Sequence, residues 1–129
     1  MSLDGELGTI YSNGQNIAVQ GETGECMYVI QSGKAEVLLA RDGHEVLLSV
    51  LETGDVFGEM SLFTRKPRVA TVRALGDVRV MKIDKRGFMR RVHQDPSLAF
   101  RILQKMSLRL AAVDEELAQL KESQPALLV

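Results

Sequence analysis

Turn signals recur through the first two thirds of this chain at intervals too short to leave room for helices, and they stop at Asp84. Asn13-Gly14, Gly21 to Gly24, Ser32-Gly33, Asp42-Gly43, Thr53-Gly54-Asp55 and Gly76-Asp77 cut the stretch from about Gly8 to Asp84 into brief apolar or alternating runs. Runs of that length bounded by Gly, Asn and Asp form strands. The clearest hairpin covers Ala35 to Leu51, where Val37 and Leu39 mirror Val46 and Leu48 across Asp42-Gly43. Asp-Gly supplies the positive φ values of a type I′ turn. Val46 to Leu51, broken only by Ser49, reads as a buried strand. With Met27-Tyr28-Val29-Ile30, Val69 to Leu75 and Val78 to Ile83, the set reaches seven or eight strands, a sandwich, roll or barrel.

Beyond Asp84 the turn signals give way to helical spacing, over Lys85 to His93 and then Pro96 to Glu122. Pro96 suits a first helical turn, and Pro125 cannot continue the helix. Leu103, Met106, Leu110, Val113, Leu117 and Leu120 recur at alternating steps of three and four, a heptad seam. At 1.5 Å rise per residue it is about 26 Å long. Such a stripe packs either on its own domain or on a second copy, so a homodimer through these six residues is one of two expectations.

With 129 residues, 45% hydrophobic and 26% charged, the chain has the make-up of one globular domain. Residues 4–84 form its strand-rich part and 85–122 its helices, the long one at about 96–122, with a tail at 123–129. Met1-Ser2-Leu3 reads as a cloning scar. A net charge of −1 argues against wholesale binding to nucleic acid or anionic membrane, which needs a strongly basic face. Cys26 is the only cysteine, which rules out an intrachain disulfide, disfavours a Cys-based zinc site and points to a reducing, cytoplasmic setting. No apolar run approaches the roughly 18 to 20 residues that span a bilayer, and no signal pattern follows Met1.

The chemistry concentrates in Phe57-Gly58-Glu59-Met60-Ser61-Leu62-Phe63 and Pro67-Arg68-Val69-Ala70-Thr71. Arg68 can present two parallel N–H donors to a phosphate, whereas the Glu59 carboxylate only accepts. A ligand that satisfies both carries an anion at one end and hydroxyls beside it, as a ribose phosphate does.

The segment from Gly54 to Phe63, with Pro67-Arg68 and Ala70-Thr71-Val72 at their distance, closely resembles the phosphate-binding cassette of the cyclic nucleotide-binding domain family. Gly14, Gln20-Gly21-Glu22, Gly24, Met27 to Ile30, Ser32-Gly33, Glu36-Val37, Asp42-Gly43, Ile83-Asp84 and Phe88 extend the resemblance over about residues 8–113. It implies a mainly β fold with C-terminal helices: a double-stranded, jelly-roll-like β-roll of about eight strands and a helical subdomain ending in a long helix. The implied cassette is 57–71, with Phe57, Gly58, Glu59, Met60, Ser61, Arg68, Val69 and Ala70 as ligand-binding residues. Glu59 would accept from the ribose 2′-hydroxyl and Arg68 would pair with the cyclic phosphate. Gly58 to Leu62 would form a one-turn helix with N–H groups facing the phosphate, and Ser61 would add its N–H and hydroxyl. Val69 stands where cAMP-preferring members often carry Ala or Ser and where Thr is associated with cGMP, so cAMP is favoured over cGMP. Cys26 occupies a position where an acid is common. The long helix closes over the base in this family, which puts Val113 and Asp114 among the binding residues, with a solvated helix carboxylate as the alternative for Asp114. The implied role is a regulatory sensor domain that signals through its C-terminal helix.

Other functions meet obstacles in the residues. His44 and His93 are the only histidines, about fifty residues apart, with no His-x-His or two-His-carboxylate spacing, so neither a metal site nor an enzyme is expected. Gly33-Lys34 lacks the upstream glycine of a P-loop, where Tyr28 stands, and Ala35 replaces its Ser or Thr. Many relatives carry a helix-turn-helix after the long helix, but this chain ends at Val129, and the basic residues from Lys85 to Arg109 read as a solvated helical face, so no direct nucleic-acid or membrane partner is expected. A roll that keeps the cassette but binds no nucleotide remains an alternative, as does an effector-domain fragment of a transcription regulator or channel. The apolar Leu127-Leu128-Val129 tail favours truncation.

Overall fold

A computed structural model describes residues 7–123 of the protein. The scar expected at Met1-Ser2-Leu3 and the tail at 124–129 lie outside the described residues. The chain divides into two compact units, one up to Arg90 and one from Arg91 onward.

The first unit is a six-stranded antiparallel sheet followed by the start of a helix. Its strands are β1 (Thr9–Tyr11), β2 (Asn16–Ala18), β3 (Cys26–Arg41), β4 (His44–Leu51), β5 (Val56–Phe57) and β6 (Thr71–Asp84), with a short helix α1 (Glu59–Thr64) between the last two. The order is β1-β6-β3-β4, with β2 paired to β6 and β5 to β3. About eight strands were expected; six appear because β3 and β6 run through two of the turn signals. Ser32-Gly33 bends β3 without ending it, as the register to β6 shifts on either side of Ser32 and Gly33 takes φ 89. Gly76, at φ 77, does the same in β6. These bends give the two long strands the curl of a β-roll.

Asp42 and Gly43 both take positive φ, 53 and 79, as the expected tight hairpin requires. The register pairs Leu39 with Val46 and Leu38 with Leu47, and a bulge then sets Val37 against Ser49. The expectation that Val46 to Leu51 would be buried is corrected. Val46, Leu47, Leu48 and Val50 are 43 to 54% exposed, and only Leu51 is buried. Their strand ends the sheet, paired to β3 alone, so no neighbour covers its outer side.

The core forms where β3 and β6 cross the middle of the sheet. Ile30, Ala35, Ala74, Val78 and Val80 are at most 2% exposed and belong to one apolar cluster with Tyr28, Phe57 and Val72. Met27 and Ile83, paired across the two strands, are equally buried on the opposite face. A strand buried on both faces reads as a continuous apolar run, as Met27 to Ile30 does.

Helix α2 (Lys85–Gln94) begins directly from β6, and the Asp84 carboxylate accepts from the Gly87 N–H, a side-chain cap three residues on. In the second unit α3 covers Ser97–Ser123, close to the 96–122 expected. Asp95 caps its start, accepting from the Ser97 N–H and hydroxyl, and that bonding together with Arg101 holds its carboxyl below the ordinary carboxylate range. Leu98 and Ile102 are buried, whereas Leu103, Leu110, Val113, Leu117 and Leu120 are 48 to 63% exposed.

Candidate functional site

The cassette is built on the exit from β5. Phe57 is buried and stacks on Tyr28 of β3, with ring centroids 4.9 Å apart, which fixes where the chain leaves the sheet. Gly58 then turns the backbone at φ 76, a conformation that favours glycine, and caps α1. Glu59 occupies the first helical turn and is half-buried. Ser61 is buried, and its hydroxyl donates to the Lys66 carbonyl at 3.2 Å, bracing the loop that leads back toward Arg68. Met60 and Val69 are exposed, at 44 and 64%, and Ala70 is buried at the entry to β6.

Arg68 is held from several directions. Its backbone N–H donates to the Glu22 carbonyl at 2.9 Å, and its carbonyl accepts from the Gly21 N–H at 2.8 Å. The loop before β3 therefore grips the main chain on both sides of this residue. The guanidinium lies 5.1 Å from the centroid of the Tyr28 ring, a cation–π contact. One terminal nitrogen, Nη2, donates to the Cys26 carbonyl at 3.4 Å and approaches the Cys26 sulfur at 3.6 Å, both long contacts. The other, Nη1, is buried and has no hydrogen-bond partner. No carboxylate is paired with Arg68 among the described residues.

A cavity of about 360 Å³ opens beside this arginine, lined by Ala18, Val19, Glu22, Cys26, Tyr28 and Arg68 among others. Its floor is apolar and its rim carries charge of both signs, Glu22 and Asp84 against Arg68 and Lys82. Burial, reinforced by a hydrogen bond to the Cys26 side chain, pushes the Tyr28 hydroxyl up to about 12. Tyr28 is therefore neutral wherever the domain folds. Because its folded value exceeds its unfolded value of 10, the stability it contributes is complete below pH 10 and is lost as pH rises toward 12. Urea titrations should show stability falling across that window in the parent protein, and a shallower fall in Tyr28→Phe.

Of the residues singled out from sequence, Gly58 and Arg68 are brought together: a Cβ on Gly58 would lie 2.5 Å from Nη1. Phe57 joins them through Tyr28. Val113 and Asp114 are exposed on α3, in the second unit. Sequence reasoning passed over Tyr28 and Cys26 as site residues. Their alternation on β3 is the available signal, because residues two apart on a strand share a face. Among the described residues no group of three His, Cys, Asp or Glu side chains is placed to hold a metal ion, and no helix is long and apolar enough to cross a membrane.

Comparison with known proteins points one way. The family model for the cyclic nucleotide-binding domain matches residues 9–95. The cAMP-dependent protein kinase regulatory subunit of Blastocladiella emersonii is 41% identical over 81 residues, 62% of this chain and 20% of that protein. A CRP-like cAMP-activated global transcriptional regulator of Mycobacterium tuberculosis is 30% identical over 111 residues, 85% of this chain and 50% of that protein. The chain thus spans between a fifth and a half of the length of these relatives. Among solved structures, the catabolite activator protein of Thermus thermophilus superposes with a TM-score of 0.79 at 29% identity, covering 88% of this chain and 54% of that one.

Proposed function

This chain belongs to the cyclic nucleotide-binding domain family, and we propose that it is a non-enzymatic sensor domain that binds a 3′,5′-cyclic nucleoside monophosphate, cAMP in preference to cGMP. The observation that carries this reading is Arg68. A guanidinium whose Nη1 is buried without a hydrogen bond, unpaired with any carboxylate among the described residues, is an anion receptor in waiting. Its position against Gly58 aims it at the turn into α1, where backbone N–H groups add to the same anion. In this reading Glu59 takes the ribose 2′-hydroxyl, Met60, Ser61 and Ala70 line the phosphate with their backbone, and the exposed Val69 meets the base side, with no hydroxyl to favour guanine.

Occupancy passes from the cassette toward the helices through aromatic contact. Phe63 of α1 packs edge-on against Phe88 of α2 with centroids 5.5 Å apart, so a shift of α1 on phosphate binding moves the start of the helical segment. The exposed seam Leu103, Met106, Leu110, Val113, Leu117 and Leu120 serves a second copy of the chain. In a parallel pairing Arg109 faces Asp114 and Glu116 faces Lys121 of the neighbouring helix, opposite charges at both flanking positions. That assigns Asp114 to the dimer rather than to adenine, and Val113 to both. The domain works in the cytoplasm, as a module of a larger regulator.

The test is calorimetric titration with cAMP, cGMP and cyclic dinucleotides, with sedimentation velocity before and after. Micromolar or tighter binding of cAMP by a dimer is expected. Absence of heat with every cyclic nucleotide overturns the function, and a monomer at all concentrations overturns the role of the seam.

A further inference from the structure

The guanidinium of Arg68 sits in a slot between two glycines. A Cβ on Gly58 would come within 2.5 Å of Nη1, and a Cβ on Gly24 within 2.7 Å of Nη2. The two positions differ in what the backbone asks of them. Gly58 has φ 76 and turns the chain into α1, so glycine is favoured there whatever lies beside it. Gly24 is not among the residues with positive φ, and no other heavy atom than those of Arg68 is among the nearest neighbours of its missing Cβ. What a side chain at Gly24 would disturb is the arginine.

We propose that Gly24 is a positioning residue for ligand binding: it leaves the space in which Nη2 reaches the Cys26 carbonyl, and so sets the direction in which Nη1 presents itself. This rests on nucleotide binding by Arg68. The loop that contains Gly24 already holds the arginine main chain, through Gly21 and Glu22, so it defines both ends of the residue. An added methyl group meets the far end of a flexible side chain, and the guanidinium rather than the backbone gives way. The displaced cation loses its contacts with Cys26 and moves relative to the N–H groups of α1 with which it shares a phosphate. Bidentate recognition tolerates little such displacement.

Calorimetric titration with cAMP of the parent protein, Gly24→Ala, Arg68→Lys and the double variant, with urea unfolding of each, tests this. Gly24→Ala should weaken cAMP by at least about tenfold with an unchanged unfolding midpoint, and should add little in the Arg68→Lys background, where no second nitrogen reaches the slot. Equal loss in both backgrounds, or a lowered midpoint, assigns the glycine to the loop and overturns the proposal; so does unchanged affinity. A parent protein that binds no cyclic nucleotide brings down the function itself, and is told apart by failing before any substitution is made.

Discussion

Arg68→Ala should abolish micromolar binding of cAMP while the domain stays folded. The substitution removes both terminal N–H donors from the phosphate, and each charge-assisted hydrogen bond contributes roughly 1.5 to 3 kcal/mol, so affinity should fall by about two to four orders of magnitude. Stability should change little, because the guanidinium makes only long contacts with Cys26 and leaves Nη1 unbonded. The two backbone hydrogen bonds of residue 68 survive in Ala. Isothermal titration read beside far-ultraviolet circular dichroism checks both halves. Unchanged affinity in a folded variant would show that the ligand is held elsewhere.

Gly33→Ala should be the most damaging of the glycine substitutions to the fold. Gly33 has φ 89, where an L-residue costs about 1 to 2 kcal/mol, and its added Cβ would also collide with the Asp77 carbonyl oxygen and lie 3.0 Å from the Val78 Cα. Those atoms are backbone of β6 and cannot step aside as a side chain does. With overpacking of this kind adding about 1 to 3 kcal/mol, a total of about 2 to 5 kcal/mol is expected. Gly14 is the control. It has nearly the same φ, 83, with nothing within 4 Å of the missing Cβ, so Gly14→Ala should cost only the backbone part, about 1 to 2 kcal/mol. Urea unfolding of the pair separates strain from collision, and equal losses would show that β6 accommodates the added group.

The contrast between those glycines shows how far local reading reaches. Asp42-Gly43 turned as expected because both positive φ values are demanded by the two residues of the turn itself. Ser32-Gly33 carries the same kind of signal, yet β3 continues through it, since the decision between a turn and a bend is made by β6 alongside. The exposure of Val46 to Val50 was hidden for a related reason: an apolar strand is legible, but whether it lies inside a sheet or at its end depends on strands far away in sequence. Helix α3 was found almost to the residue, because its seam and its proline mark are properties of one segment.

The cassette followed the same division. Phe57 to Ser61 and Arg68 to Ala70 are close enough in sequence that their types and spacing declared a phosphate site, and the family model spans them. What holds the arginine was not written there: Cys26 is 42 residues away, and Gly24 and Tyr28 reach Arg68 only because the loop before β3 pairs with its backbone. Short-range chemistry, meaning turn conformations, helix periodicity and the donor and acceptor types of a contiguous motif, was settled by the order of residues alone. The direction of one guanidinium, the cavity beside it and the strand left uncovered were settled by folding, because each depends on atoms that only long-range strand pairing brings within contact distance.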